Sequence, residues 1–276
     1  MKLWQDSVLN DLKSNLAPNA DVLGLLLFGS CSRAEAARDE WSDIDILLVL
    51  KNDALDRFFP TTAWLAPFGR LYTFTQSAED FKCTTRVCFE NFHRIDFVIT
   101  TEESLSNAEK WPSVPFFSGT KILFSRSEVV DKIARQGQFP HKFTCPTEEQ
   151  FLELVRNFRF KSMQAVYKVV RGDLLIALHL TQDLLRDCCV LGMMLRDRET
   201  GMNIHKHGGA GNQLVAQLEI TRKPFTSMGI LDSIIQSNVI FEGLAVEWSS
   251  EYQENRQFLL GWIEKARAEL PRQKLA

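Results

Sequence analysis

Asp43 and Asp45 sit at alternate positions at the head of a run of branched apolar residues ending at Leu50, and this stretch constrains the chain more than any other. In a strand, successive side chains face opposite ways. The two carboxylates therefore share one face, while Ile44, Ile46, Leu48 and Leu50 form an unbroken apolar face on the other. Strand rise sets the two aspartate Cα atoms about 7 Å apart. Like charges so placed repel unless a cation sits between them, and hard divalent ions such as Mg²⁺ take such oxygen ligands together with substrate phosphates.

Upstream, Val22–Phe28 reads as a short buried strand broken by Gly29-Ser30, and Ser32–Arg38 favours helix. Glycine permits a tight turn and the close approach of a ligand to the backbone. Free N–H groups at a helix start, with the Ser30 hydroxyl, suit an anionic phosphate, and Arg33 adds a charged contact. A third carboxylate is expected from a later strand. In Phe92–Thr100 the side chains of Ile95, Phe97 and Ile99 make an apolar face, and Asp96 lies on the opposite face with Arg94. A charged aspartate in mid-strand needs a partner, because burying it alone costs several kcal/mol.

Each element has an ordinary alternative. A Gly-Ser pair can be only a turn, a D-x-D only a solvated strand edge, and Asp96 can pair with Arg94 or Arg86. The conjunction of strand, Gly-Ser, helix, D-x-D strand and later inward aspartate favours a phosphate- and metal-binding site. This pattern, Gly29-Ser30, twelve residues, Asp43-Ile44-Asp45 and then Asp96, resembles the nucleotidyltransferase superfamily of the DNA polymerase β type. The resemblance implies a mixed sheet flanked by helices and transfer of a nucleoside monophosphate from ATP or another NTP with two Mg²⁺ ions. Gly29 and Ser30 match the phosphate-binding turn, and Asp43, Asp45 and Asp96 match the catalytic, metal-binding triad. Ala34 stands where many members carry glycine.

The remaining chain divides in two. Before residue 140, strand-like runs recur at Leu71–Thr75, Thr84–Glu90 and Lys121–Phe124, with helices at residues 2–16, Thr101–Lys110 and Val129–Arg135. Gln138–Pro146, with two prolines, reads as a linker. Beyond it, Glu148–Val170, Asp173–Arg198, Gln213–Glu219, Met228–Trp248 and Tyr252–Leu270 all carry helical apolar spacing. The fold class is thus α/β (α+β): a catalytic domain over 1–140 followed by an all-α bundle over 141–276, a hinge-and-cleft plan. Arg171-Gly172-Asp173-Leu174-Leu175, in that helix-rich half, is similar to the streptomycin 6-adenylyltransferase group. That similarity implies a small-molecule acceptor, an aminoglycoside-type antibiotic whose hydroxyl receives AMP, and hence antibiotic resistance.

Asp173–Arg198 is apolar nearly all round and is expected at the centre of its bundle. On it His179, Asp183 and Asp187 recur every four residues and stack on one face, either as core partners or as a polar stripe for the acceptor. His205-Lys206-His207 offers two histidines without a third ligand and reads as a helix connection. Trp41 can stack on a base, but packing is the expected role.

Charge and cysteines exclude several classes. Net charge is −3, with 15 Lys+Arg against 19 Asp+Glu up to residue 140 and 17 against 16 after it, so neither half can coat a phosphate backbone. A nucleic-acid acceptor is therefore disfavoured. A protein acceptor or a catalytically inactive nucleotide-binding scaffold remains as the alternative. Asp6 and Asp11 break any leader-like apolar run, and the runs around Val22–Phe28 and Ile46–Leu50 fall far short of the ~20 residues that span a bilayer. No membrane partner is expected. Six cysteines without a C-x-x-C read as reduced thiols of a cytoplasmic protein. Nothing in the sequence fixes the oligomeric state.

Overall fold

The apolar runs on either side of the Gly29-Ser30 turn become neighbouring strands of a six-stranded sheet. A computed structural model describes residues 3–32, 38–91, 93–111, 120–136, 145–201, 212–219 and 226–270. Its contacts divide the chain into two compact units, Met1–Lys142 and Phe143–Ala276.

In the first unit, helix α1 (Trp4–Leu16) precedes β1 (Val22–Phe28) and β2 (Ile44–Leu50). Then come β3 (Leu71–Ala78), β4 (Cys83–Phe89) and β5 (Arg94–Thr101), followed by α2 (Glu102–Ser106), β6 (Lys121–Ser125) and α3 (Glu128–Gln136). The strand order is β3-β4-β5-β2-β1-β6. Only β2 and β5 run parallel; the other neighbours are antiparallel.

Apolar clusters cover both faces of the central strands, while the edge strand β3 is largely exposed. On one face Ile44, Ile46, Leu48, Ile95, Phe97 and Ile99 pack with Val8, Leu12 and Leu16 of α1. On the other, Leu26, Leu47, Val49 and Val98 pack with Leu105 of α2 and with Val130 and Ile133 of α3. Gly24 admits α3 at close range, since a Cβ there would meet a Val130 methyl at 2.7 Å. β2 is therefore not divided into one polar and one apolar face: beyond Asp45 it is buried on both. The carboxylate face stays open only at the start of the strand, because α2 and α3 cover the positions further along.

The second unit consists of α4 (Glu148–Val170), α5 (Leu174–Thr200), α6 (Asn212–Glu219), α7 (Ser227–Trp248) and α8 (Arg256–Glu269). A capping box fixes the start of α4: Thr147 Oγ1 accepts from the Gln150 N–H while the Gln150 side chain accepts from the Thr147 N–H. The centre of the bundle is α7, which touches α4, α5, α6 and α8. The sequence assigned that position to α5. That helix instead buries one stripe (Ala177, Thr181, Leu184, Cys188, Leu191 and Leu195) and leaves Leu175 78% exposed. A count of apolar residues does not say which stripe finds a cover. By length and composition α7 is also apolar enough to cross a bilayer, unlike the shorter runs at Val22–Phe28 and Ile46–Leu50. In the structure 61% of its apolar window is buried, as in a core helix.

Candidate active site

Three segments bring the carboxylates together. Asp43 immediately precedes β2, Asp45 is the second residue of β2, and Asp96 is the third of β5. Parallel pairing sets Asp45 beside Asp96. Antiparallel pairing sets Phe28 beside Asp45 and Arg86 beside Asp96. One row thus crosses the sheet as Phe28, Asp45, Asp96, Arg86. Asp43, Asp45 and Asp96 each present one carboxylate oxygen, and these lie within 4.8 Å of one another.

Gly29 closes the site from the β1 side. Its φ of +69° lies in the left-handed region, and a Cβ there would stand 1.9 Å from Asp45 Oδ2. Backbone conformation and space both require glycine. Beyond it, Ser30–Ser32 forms a single 3₁₀ turn, tied down where Ser32 Oγ donates to the Gly29 carbonyl at 2.9 Å. The buried Cys31 Sγ–H donates to the Asp43 carbonyl at 3.2 Å and fastens this turn to the head of β2. Arg33 and most of the expected helix Ser32–Arg38 lie outside the described residues. Within the described residues the turn is 3₁₀ over Ser30–Ser32.

Electrostatics follow from crowding. Burial first, then the like charges of Asp43 and Asp96, push the Asp45 carboxyl up to about 7, against the pull of Arg94 and Arg86. Arg94 Nη2 lies 2.9 Å from Asp43 Oδ2 and 3.1 Å from Asp96 Oδ2, and Arg86 Nε lies 3.1 Å from that same Asp96 oxygen. The pairing of Asp96 with Arg94 or Arg86 raised by the sequence occurs with both at once. It does not use up the carboxylate: Asp96 Oδ1 is buried with no hydrogen-bond partner among the described residues. Hard oxygen donors, an orphaned buried oxygen and a glycine that clears the space beside Asp45 together fit a divalent cation.

Sequence reasoning missed the supports behind this cluster. Gln5, fully buried on α1, donates from Nε2 to the carbonyls of Asp39 and Ser42 at 2.8 and 2.9 Å. Trp4 Nε1 donates to the Glu40 carbonyl at 2.9 Å, and its ring stacks on His93 at 4.2 Å. The first turn of α1 thus holds both the loop entering Asp43 and the residue preceding Arg94. A glutamine on the apolar stripe of α1 was the available signal. Trp41, expected to pack, is 87% exposed.

The candidate acceptor residues are all on α5. His179 is exposed, Asp183 half-buried, and Asp187 buried with its Oδ2 2.5 Å from Lys161 Nζ of α4. Asp187 therefore has a structural partner that the sequence did not identify. The connection His205–Gly211 lies outside the described residues.

A mixed sheet that carries three convergent carboxylates beside a glycine turn defines a nucleotidyltransferase. The streptomycin adenylyltransferase family profile matches residues 9–198, and the chain belongs to that family. Among solved structures it is similar to an aminoglycoside 6-adenyltransferase from Bacillus subtilis, at 16% identity over 95% of this chain and 97% of that one, with a TM-score of 0.39. It is also similar to the spectinomycin adenyltransferase AAD(9) from Enterococcus faecialis, solved with ATP and spectinomycin, at 12% identity over 96% and 99% and a TM-score of 0.30. No curated protein sequence matches the chain significantly.

Proposed function

We propose that this adenylyltransferase moves AMP from ATP to a hydroxyl of an aminoglycoside of the streptomycin type, with Asp43, Asp45 and Asp96 holding the divalent cations that accompany the nucleotide. Membership of the streptomycin adenylyltransferase family supports the reaction class. The observation that carries the assignment of residues is the convergence of one oxygen from each aspartate within 4.8 Å.

The Gly29 turn and the Ser30 hydroxyl bind the phosphates through N–H and O–H donors. When bound, Mg²⁺ supplies neutralisation of the triphosphate and of the departing pyrophosphate. Asp96 orients the acceptor hydroxyl and takes its proton. The acceptor oxygen forms a bond to the α-phosphorus as the bond from that phosphorus to pyrophosphate breaks. Arg86 holds the Asp96 carboxylate in place for this step. On α5, Asp183 and His179 are the proposed contacts for the ammonium and hydroxyl groups of the acceptor. Asp187 is the weaker candidate because Lys161 already occupies it.

We assign the reaction to the cytoplasm, where ATP is available; the six free thiols agree with this. A net charge of −3 supports a small cationic acceptor over a nucleic acid. The test is incubation with α-labelled ATP, Mg²⁺ and a panel of aminoglycosides and lincosamides. Label appearing on an aminoglycoside, with loss of its antibacterial action, is the expected result. Label appearing only on protein or nucleic acid would overturn the acceptor assignment.

A further inference from the structure

We propose that Arg94 is a placeholder cation: its guanidinium neutralises the carboxylate cluster while no metal is bound and must release Asp43 when a divalent ion enters. This inference rests on the metal-binding role given above to Asp43, Asp45 and Asp96.

Three carboxylates converging within 4.8 Å cannot stand un-neutralised in a half-buried site. The structure shows how the charge is met. Arg94 and Arg86 both load Oδ2 of Asp96, yet their positions are not equivalent. Arg86 projects from β4, directly across the ladder from Asp96, and among the described residues its ion pair is with that residue alone. It can stay where it is while the opposite oxygen, Oδ1, faces a cation. Arg94 also reaches Asp43, so its Nη2 alone stands between two members of the triad, 2.9 Å from Asp43 Oδ2 and 3.1 Å from Asp96 Oδ2. A divalent ion and this guanidinium therefore compete for Asp43.

Displacement is open to Arg94. Its side chain is 56% exposed, so the fork can swing into water while β5 stays paired on both sides. Linkage then gives the sign of the effect. Whatever Arg94 contributes to the metal-free site is subtracted from the apparent affinity for the ion. A charge-assisted hydrogen bond of ordinary strength makes that penalty about tenfold in binding constant.

The experiment is Mn²⁺ binding to the full chain without nucleotide, by electron paramagnetic resonance of the free ion, for wild type, Arg94→Gln, Arg86→Gln and Asp45→Asn. Arg94→Gln is expected to bind Mn²⁺ about tenfold more tightly than wild type. Its melting temperature should fall below that of Arg86→Gln without metal and recover with saturating Mn²⁺. A purely structural role predicts the opposite sign for binding, so equal or weaker Mn²⁺ affinity in a folded Arg94→Gln overturns the proposal. Should that variant fail to fold, Arg94→Lys decides. It keeps the charge but ends one bond short of the position of Nη2, which loosens its hold on Asp43, so tighter binding than wild type supports the placeholder while equal or weaker binding removes it. If wild type binds no Mn²⁺ and Asp45→Asn behaves identically, the metal site itself is wrong and the inference falls with it. If wild type binds and Asp45→Asn does not, only the role of Arg94 is at stake.

Discussion

A methyl group on Gly29 would stand 1.9 Å from Asp45 Oδ2, so the left-handed turn after β1 and the second carboxylate of the triad occupy adjoining space with nothing to spare. Gly29→Ala must move one or the other. The left-handed conformation alone costs an alanine roughly 1–2 kcal/mol, and the collision adds to it. We expect kcat/KM to fall at least a hundredfold, with weaker Mg²⁺ binding and a lower melting temperature. A variant with near-normal kinetics would show that the Asp45 carboxylate does not need its present position.

The raised pKa of Asp45 makes metal-free stability depend on pH. Its carboxyl titrates near 7 in the folded chain and in the ordinary acidic range when unfolded. Between those values the native state holds more protons than the unfolded one, so stability falls as pH rises from about 4 to about 7. The associated loss is on the order of 4 kcal/mol. Asp45→Asn should abolish this slope, remain at least as stable as wild type at pH 8 without metal, and lose transfer activity. Asp43→Asn should also lose transfer. Urea melts across pH 4–8 with chelator present test this; an unchanged slope in Asp45→Asn would count against it. Mg²⁺ should stabilise wild type more at pH 8 than at pH 5.

Much of this site was legible because strand alternation is a strict rule. Asp43-Ile44-Asp45 and Arg94-Ile95-Asp96 each announce which residues share a face, and parallel register brings Asp45 beside Asp96. Which arginine meets which oxygen was not legible, because β4 pairs with β5 through a hairpin whose register decides it. Nor could composition show that α7, not α5, is enclosed, or that Trp41 stays in water. Burial depends on what packs alongside, and local sequence does not carry that.

Asp96 divides its two oxygens between different tasks, with Oδ2 held by both arginines and Oδ1 without a partner among the described residues. Asp96→Asn keeps the shape but replaces one oxygen by an N–H₂ donor, which repels the arginines or the cation whichever way it turns. We expect kcat to fall at least a hundredfold while ATP still binds through the Gly29 turn and the other two aspartates. Equilibrium binding of ATP beside single-turnover kinetics separates the two effects. Near-normal turnover would remove Asp96 from the site.

Ser30→Ala should raise the KM for nucleotide more than it lowers kcat, because the backbone donors of the turn remain. The hydroxyl contributes one charge-assisted hydrogen bond, worth about 1.5–3 kcal/mol. An unchanged nucleotide affinity in this variant would move the phosphates elsewhere.

The backbone at Trp41 is tied down, but its ring is left bare. Its N–H and the Ser42 hydroxyl both donate to Asp39 Oδ1, at 3.0 and 2.9 Å, and Gln5 secures the carbonyls on either side, yet the indole is 87% exposed. An exposed apolar ring on anchored backbone two residues before Asp43 is suited to stack on the base of a nucleotide whose phosphates lie at the carboxylates. Stacking of a base on an aromatic side chain contributes about 1–3 kcal/mol. Trp41→Ala should therefore raise the KM for ATP by about five- to a hundredfold with kcat little changed, and Trp41→Phe should recover most of the loss. Inhibition by tripolyphosphate, which has no base, should be equal in wild type and Trp41→Ala. Stability should shift by less than about 0.5 kcal/mol, as for an exposed side chain with no packing role. If Trp41→Ala instead raised the KM of the acceptor and left that of ATP unchanged, the indole would belong to the acceptor, and base stacking would have to be abandoned.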